Sequence, residues 1–324
     1  MPSELAISAD MEARHDSVLV EEVLSVLAVE PSDVVVDATL GGAGHFSRLL
    51  AALGEGGVIV GIDADPAAVE RSRETYALDR RPDRPVAHLV NDNFRHLDRV
   101  LERVGIARVD KMLFDLGWSG YQIASQRGFS FNQDEPLLMT YGEGGETAAD
   151  IVNSASEEEL SDIIFTYGEE RFARGIARAI VGTRANARIL TTGALVDAVM
   201  VGTPAWYHRR KIHPATKTFQ ALRIAANDEI GSLRDAIAIA LRVLAPSGRL
   251  AIISFHSVED RIVKHLLRDA ALAGVGMLVS KKPIAPTREE VLRNRRARSA
   301  KLRVFERAAM APVEPVSRPH LAYA

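Results

Sequence analysis

The sequence predicts a doubly wound α/β fold, Rossmann-like with a mainly parallel sheet, that carries an inserted helical domain. Three observations predict it. Short apolar runs alternate with helix-period segments between residues 34 and 115, a βαβ rhythm that specifies parallel strands. The runs end on Asp37, Asp63, Asn91 and Asp115, at strand C-termini where open α/β sheets bind ligands. The rhythm then breaks near residue 120, gives way to helical periodicity, and resumes near 211.

Asp16 or Ser17 is placed to cap a first helix with apolar positions Val20, Val23, Leu24 and Leu27. Strand 34–37 ends in Asp37 and opens the glycine-rich turn 38–45, and helix 46–53 follows. Strand 58–62 runs into Asp63, followed by helix 66–77, strand 87–90, helix 96–104 and strand 111–114. Residues 118–147 are loop-like and rich in glycine. Within 150–200 the periodicity is helical, with a capping box from Ser156 to Glu159. Phe172, Ile176 and Ile180 share a helix face, while Arg171, Arg174 and Arg178 take the solvated one. Helices 215–229 and 231–244, a turn at 245–249, strand 250–254, helix 258–272 and strand 277–279 come next. Residues 302–307 form a last, antiparallel strand. The expected division is 1–119 for the first part of the ligand-binding domain and 120–210 for the helical insertion. Residues 211–324 supply the second part, with a basic C-terminal segment.

With 324 residues, 47% hydrophobic and 26% charged, the chain has the composition of an ordinary globular protein. No apolar run approaches the roughly 18–20 residues of a membrane span, and residues 1–15 lack the apolar stretch of a signal peptide. The absence of cysteine excludes disulfides and thiolate metal sites and suits the cytoplasm. His45, His213 and His256 stand in no metal-ligand spacing, so no metal is expected. Net charge is −3, but the basic residues cluster. Segment 205–223 holds five Lys/Arg and no acid; segment 281–307 holds ten against three Glu. Such patches suit phosphate contacts with a nucleic acid.

The glycines at 41, 42 and 44 do not fit the G-x-G-x-x-G of dinucleotide folds, and a pyrophosphate-free nucleoside, S-adenosylmethionine, fits the turn better. Asp63, at the end of the second strand, is placed for a ribose diol. Phe94 is placed to stack on the adenine, with Asn91, Asp92 or Asn93 at its edge, and Gln122 to orient the methionine end or a substrate. Asp115 ends a buried strand facing that ligand. It is the first candidate for a catalytic carboxylate that binds an exocyclic amine and favours its pyramidal form, and it is equally placed to position the cofactor.

Taken together, the motifs resemble the RsmH (MraW) family, which N4-methylates a cytidine of bacterial small-subunit (16S) ribosomal RNA. The matching pieces run in order through nearly the whole chain: DATLGGAGH at 37–45, GIDADP at 61–66, DLGWS at 115–119 and RGFSF at 127–131. KIHPATKTFQALRIAANDE at 211–229, LAPSGRLAIISFHSVEDRIVK at 244–264 and ARSAKLRVFER at 297–307 complete them. The resemblance implies a methyltransferase domain dependent on S-adenosylmethionine, with cofactor contacts at Ala43, Gly44, His45, Asp63, Phe94, Asp115 and Gln122. It implies a substrate side formed by Ser119, His213, Lys217, Ser254 and His256, around a cytidine that leaves its stack. Its partner would be the small ribosomal subunit near the decoding centre, with no membrane and no metal; a homodimer is left open. The sequence departs from the family at Gly120-Tyr121, at 138–141 and at Arg295, where proline is usual. Two other readings fit the same residues: a methyltransferase of another nucleic acid, and an RNA-associated protein that binds the cofactor without catalysis.

Overall fold

The computed structural model describes residues 17–76, 84–117, 125–142 and 144–309. Seven strands form one sheet in the order β3-β2-β1-β4-β5-β7-β6. They are β1 (Val34–Asp37), β2 (Val58–Asp63), β3 (Val86–Asn91), β4 (Val109–Asp115), β5 (Leu244–Ser254), β6 (Gly276–Leu278) and β7 (Lys301–Arg307). The first five are mutually parallel, and β7 enters antiparallel to β5 and β6. The chain winds outward from β1 in one direction and from β4 in the other. Their C-terminal ends are therefore the switch point at which such sheets open a crevice.

Alternation along each buried strand sends neighbours to opposite faces. Val36, Val60, Met112, Phe114 and Ile252 join one core cluster, while Val35, Ile59, Leu113, Ala251 and Ile253 join the other. The first face is covered by α4 (Leu97–Arg103), α10 (Glu229–Val243) and α11 (Ser257–Leu272), the second by α1 (Val20–Leu27) and α2 (Gly44–Ala52). Helix α3 (Pro66–Tyr76) packs beside β2 and β3. The helical module contains α5 (Ala148–Ser154), α6 (Glu157–Gly168), α7 (Ala173–Arg184) and α8 (Thr192–Val201). Its core, built on Leu160, Ile164, Ile176, Ile180 and Leu195, also takes in Phe219 and Leu222 of α9 (Ala215–Ala226). Packing thus carries the module past residue 210. No described helix is long and apolar enough to cross a membrane.

Several local expectations change. Asp16 lies outside the described residues, and Ser17 does not cap α1. Leu19 is the N-cap, at φ 58°, and its N–H donates to Glu290 Oε1 at 2.7 Å. A carboxylate brought from α12 (Arg288–Arg293) thus satisfies the helix N-terminus that a local side chain was expected to cap. Helix α2 starts at Gly44 rather than 46, so His45 belongs to its first turn. The turn at 245–249 is an irregularity inside β5: Leu244 already pairs with Val109, and regular register resumes at Arg249 with Lys111. The expected helix to 229 breaks at Asn227-Asp228, where Asp228 adopts φ 43°. The antiparallel strand 302–307 is present as β7.

One buried ionic cluster ties the module to the sheet domain. Arg223 of α9 grips Glu229 with Nε at 2.8 Å from Oε1 and Nη2 at 2.9 Å from Oε2. The Tyr141 hydroxyl donates to Glu229 Oε1 at 2.7 Å, and the Tyr141 N–H to Asn227 Oδ1 at 3.0 Å. Burial pushes the Arg223 guanidinium down, but Glu229, Tyr141 and Glu259 hold it above its ordinary value. Removing one partner from such a pair strands the others' charge, which costs about 3–5 kcal/mol. Arg223→Met is therefore expected to lower the unfolding free energy by about that amount in urea titrations. A loss below about 1 kcal/mol would show that Glu229 and Glu259 find other compensation.

Candidate active site

At the switch point a cavity of about 460 Å³ opens, within the range of small-ligand sites. Its floor comes from the strand ends and the turns that leave them: Asp37, Thr39, Gly41 and Gly42 after β1, Asp63 after β2, Asp115 to Gly117 after β4. Phe94, Tyr141, Arg223, Phe255 and His256 close other sides, and Arg295, Arg296 and Arg298 stand among the lining residues. A larger groove of about 560 Å³ over Asp150, Asn153, Arg184 and Arg188 is a more open surface feature without buried carboxylates.

The glycine turn is shaped by the carboxylates beneath it. Asp63 Oδ2 accepts the Gly41 N–H at 2.7 Å and Oδ1 the Asp65 N–H at 2.8 Å. Asp37 Oδ1 accepts the Thr39 N–H at 3.1 Å, and Thr39 Oγ1 in turn accepts the Asp115 N–H at 2.7 Å. Ala43 sits in the left-handed region at φ 59° as the N-cap of α2, with its N–H on the Leu40 carbonyl at 2.6 Å. At Gly44 a Cβ would meet the Ser17 side chain, so a larger residue there would require that hydroxyl to turn away. Burial pushes the Asp37 and Asp63 carboxyls up to about 6, against the hydrogen bonds that pull them down.

His45 stands beside Asp115. Its Nε2 lies 2.9 Å from the Val18 carbonyl, an acceptor, so Nε2 carries a proton. Its Nδ1 lies 3.4 Å from Asp115 Oδ2, and two lone pairs would face each other there unless Nδ1 is also protonated. Burial lowers the basicity of the ring, but Asp115, then Asp37 and the Val18 carbonyl, outweigh it and hold His45 above its ordinary value. The His45 ring thus pairs with one oxygen of Asp115. The other oxygen, Oδ1, is buried and has no hydrogen-bond partner among the described residues. Buried acceptors without partners are rare, and the residue that carries this one lines the cavity.

Of the residues singled out from sequence, Gly44, His45, Asp63, Phe94, Asp115 and His256 line this cavity. Phe94 stands edge-on to Phe114 at 5.7 Å between ring centroids. Ala43 is buried behind the turn, acting through backbone shape. Three others are engaged elsewhere. Ser254 is buried with Oγ 3.5 Å from the Lys301 carbonyl, His213 Nδ1 accepts the Ala215 N–H at 3.2 Å, and Lys217 Nζ donates to the Glu169 carbonyl at 2.6 Å. The adenine-edge candidates are also committed: Asn91 Nδ2 to the Asp63 carbonyl, Asp92 to His96 and Arg103, and Asn93 Oδ1 to the Arg95 N–H. Ser119 and Gln122 lie outside the described residues. Tyr141 and Arg223 come from distant segments, Arg223 from within the 211–229 motif. Asp37, read from the sequence as the strand end that opens the glycine turn, also lines the cavity.

Glu229, His256 and Glu259 bring their ligand atoms within 4.8 Å of one another. That cluster already has its counter-charge in Arg223, and Glu259 receives the Phe255 N–H at 2.9 Å while its other oxygen lies 3.0 Å from His256 Nε2.

A model of the MraW methylase family matches residues 12–308. The ribosomal RNA small subunit methyltransferase H of Deinococcus radiodurans is 47% identical, covering 91% of this chain and 90% of its own. The protein of the same name from Paenibacillus sp. (strain JDR-2) is 45% identical over 91% of this chain and 99% of its own. That of Brevibacillus brevis is 43% identical over 90% and 98%.

The protonation states set a pH dependence for the ligand-free protein. Folded Asp37 and Asp63 keep protons up to about 6 that the unfolded chain releases near 3.8, so stability falls as pH rises across that window. His45, held above its ordinary value, contributes stability that is present below about 6.5 and is lost as pH rises through its folded value. All three act in the same direction. The melting temperature is expected to be lower at about pH 8 than at about pH 5.5, with a smaller difference in Asp37→Asn. Scanning calorimetry that finds a higher melting temperature at the alkaline end would contradict these assignments.

Proposed function

The chain belongs to the MraW methylase family, and on that premise we propose that it methylates small-subunit ribosomal RNA. The donor is S-adenosylmethionine and the acceptor is the exocyclic N4 of a cytidine near the decoding centre of the bacterial 16S molecule. The observation that carries this reading is Asp115, a strand-end carboxylate that lines the cavity and keeps one buried oxygen without a hydrogen-bond partner among the described residues. The relatives' names support the ribosomal substrate.

The lining residues fit the cofactor. Each Asp63 oxygen already holding a backbone N–H retains a second acceptor site for a ribose hydroxyl. Phe94 offers an apolar ring for the adenine, and the bare backbone of Gly41, Gly42 and Gly44 admits close approach. When bound, S-adenosylmethionine supplies a methyl group on a sulfonium, an electrophile that needs no further activation.

The chain's residues address the weak partner, the amine. The N4 lone pair of cytosine is delocalised into the ring, so the nitrogen must become pyramidal before it attacks. The Asp115 carboxylate accepts one N4–H and favours that geometry, and orientation in the cavity supplies much of the remaining advantage. As the N–C bond would form, the methyl's bond to sulfur would break, the donor would leave as a neutral thioether, and positive charge would grow on N4 beside the Asp115 carboxylate. Proton loss from N4 to Asp115 then restores a neutral amine. For the base to reach Asp115 it must leave its stack, which costs a few kcal/mol and is least costly in an unpaired segment.

The test is the chemical identity of the product. Undermethylated small subunits incubated with labelled S-adenosylmethionine and this protein are expected to yield labelled N4-methylcytidine on nucleoside mass spectrometry. Label in a different nucleoside, or preference for duplex DNA, would overturn the reading.

A further inference from the structure

The two basic patches of the sequence meet different fates in the fold. In the first, Arg223 is buried against Glu229, Lys217 holds the Glu169 carbonyl, and the Arg210 guanidinium lies over the Tyr207 ring at 5.4 Å. In the second, Lys301 and Arg303 share Asp260, and Arg307 donates to the carbonyls of Leu241, Arg242 and Leu244. Those cations serve the fold. Arg295, Arg296 and Arg298 do not: among the described residues none of their guanidinium groups has an ion-pair partner, although all three line the cavity that holds Asp115.

The turn that carries them is nonetheless rigidly placed. Ala297 is fully buried in the core cluster beneath β7, Ala300 is 2% exposed, and Asn294 Oδ1 caps the turn through the Arg296 N–H at 3.1 Å. A fixed apolar anchor thus presents uncompensated guanidinium groups at the mouth of a site. Some other exposed arginines of this chain take carboxylates, as Arg48 does with Glu21 and Arg242 with Asp98. Leaving three together without acids concentrates positive potential at one opening.

The ligand that fits is set by the geometry of the reaction. A base that reaches Asp115 stays joined to its ribose, so its 5′ and 3′ phosphates remain at the mouth. Guanidinium groups bind phosphates in a bidentate manner that lysine does not match. We infer that Arg295, Arg296 and Arg298 hold the RNA backbone phosphates flanking the nucleotide whose base enters the cavity. This inference rests on the reading that the substrate is RNA, and it assigns the RNA contact at the site to the C-terminal turn.

The experiment compares the full chain with a variant carrying Arg295→Gln, Arg296→Gln and Arg298→Gln, and with Lys281→Gln/Lys282→Gln as a charge control. Binding of unmethylated small-subunit rRNA transcript is measured across salt concentrations, cofactor affinity by calorimetry, and folding by melting temperature. Each single-strand phosphate contact contributes about 0.7 to the slope of log affinity against log salt. The triple variant is expected to lose about two from that slope and at least about tenfold in RNA affinity, with cofactor affinity unchanged. Its KM for RNA should rise while kcat at saturation stays within about threefold of wild type. The control should lose less of each. An unchanged slope and affinity in the triple variant would overturn the inference while leaving the RNA reading intact. A loss confined to cofactor affinity would overturn it in favour of arginines that hold the methionine carboxylate. If the wild-type chain shows no salt-dependent RNA binding, the inference and the proposed function both fail.

Discussion

Three adjacent strands end on carboxylates that are largely withdrawn from water, and the rest of the site is organised around keeping them there. Asp63, Asp37 and Asp115 close β2, β1 and β4, side by side across the switch point. Each buried carboxylate costs free energy unless something answers it. For Asp63 the answer is backbone: the glycine turn folds down so that Gly41 donates to it. For Asp37 it is Thr39, whose hydroxyl also takes the Asp115 N–H and so links two strand ends. For Asp115 it is the His45 ring, fixed by the Val18 carbonyl. The turn, the left-handed Ala43 and the start of α2 at Gly44 are consequences of that compensation.

The compensation is incomplete at one atom. Asp115 Oδ1 remains without a partner, while its other oxygen faces the His45 ring. A site that leaves one acceptor unsatisfied in an otherwise bonded floor is prepared to receive a donor. Under the proposed function, the donor would be an exocyclic amine received by the Asp115 carboxylate. On the other side of the cavity the helical module is fastened by Arg223, Glu229 and Tyr141, so the wall facing Asp115 is held by charge as well as by the apolar packing of α9.

The frame of this arrangement was legible because it is local. Strand periods of two, the glycine turn and carboxylates at strand ends are written in consecutive residues, and they led to Gly44, His45, Asp63, Phe94 and Asp115. What was missed is long-range. The cap on α1 is Glu290, 271 residues from the N–H it accepts. Tyr141 and Arg223 converge on Glu229 from positions 82 apart, and the 211–229 motif that holds Arg223 does not announce the pairing. His213, Lys217 and Ser254, which the resemblance implied as substrate contacts, each also hold a contact within the chain, to Ala215, Glu169 and Lys301. Charge density alone could not separate fold-bearing arginines from available ones; only their partners do.

The most direct test of the role given to Asp115 is the single-turnover rate of methyl transfer by Asp115→Ala, measured with saturating S-adenosylmethionine beside the cofactor's dissociation constant. The expected result is a rate at least about 100-fold below wild type, with cofactor affinity weakened less than about tenfold. A rate within about threefold of wild type would show that the Asp115 carboxylate does not act on the amine.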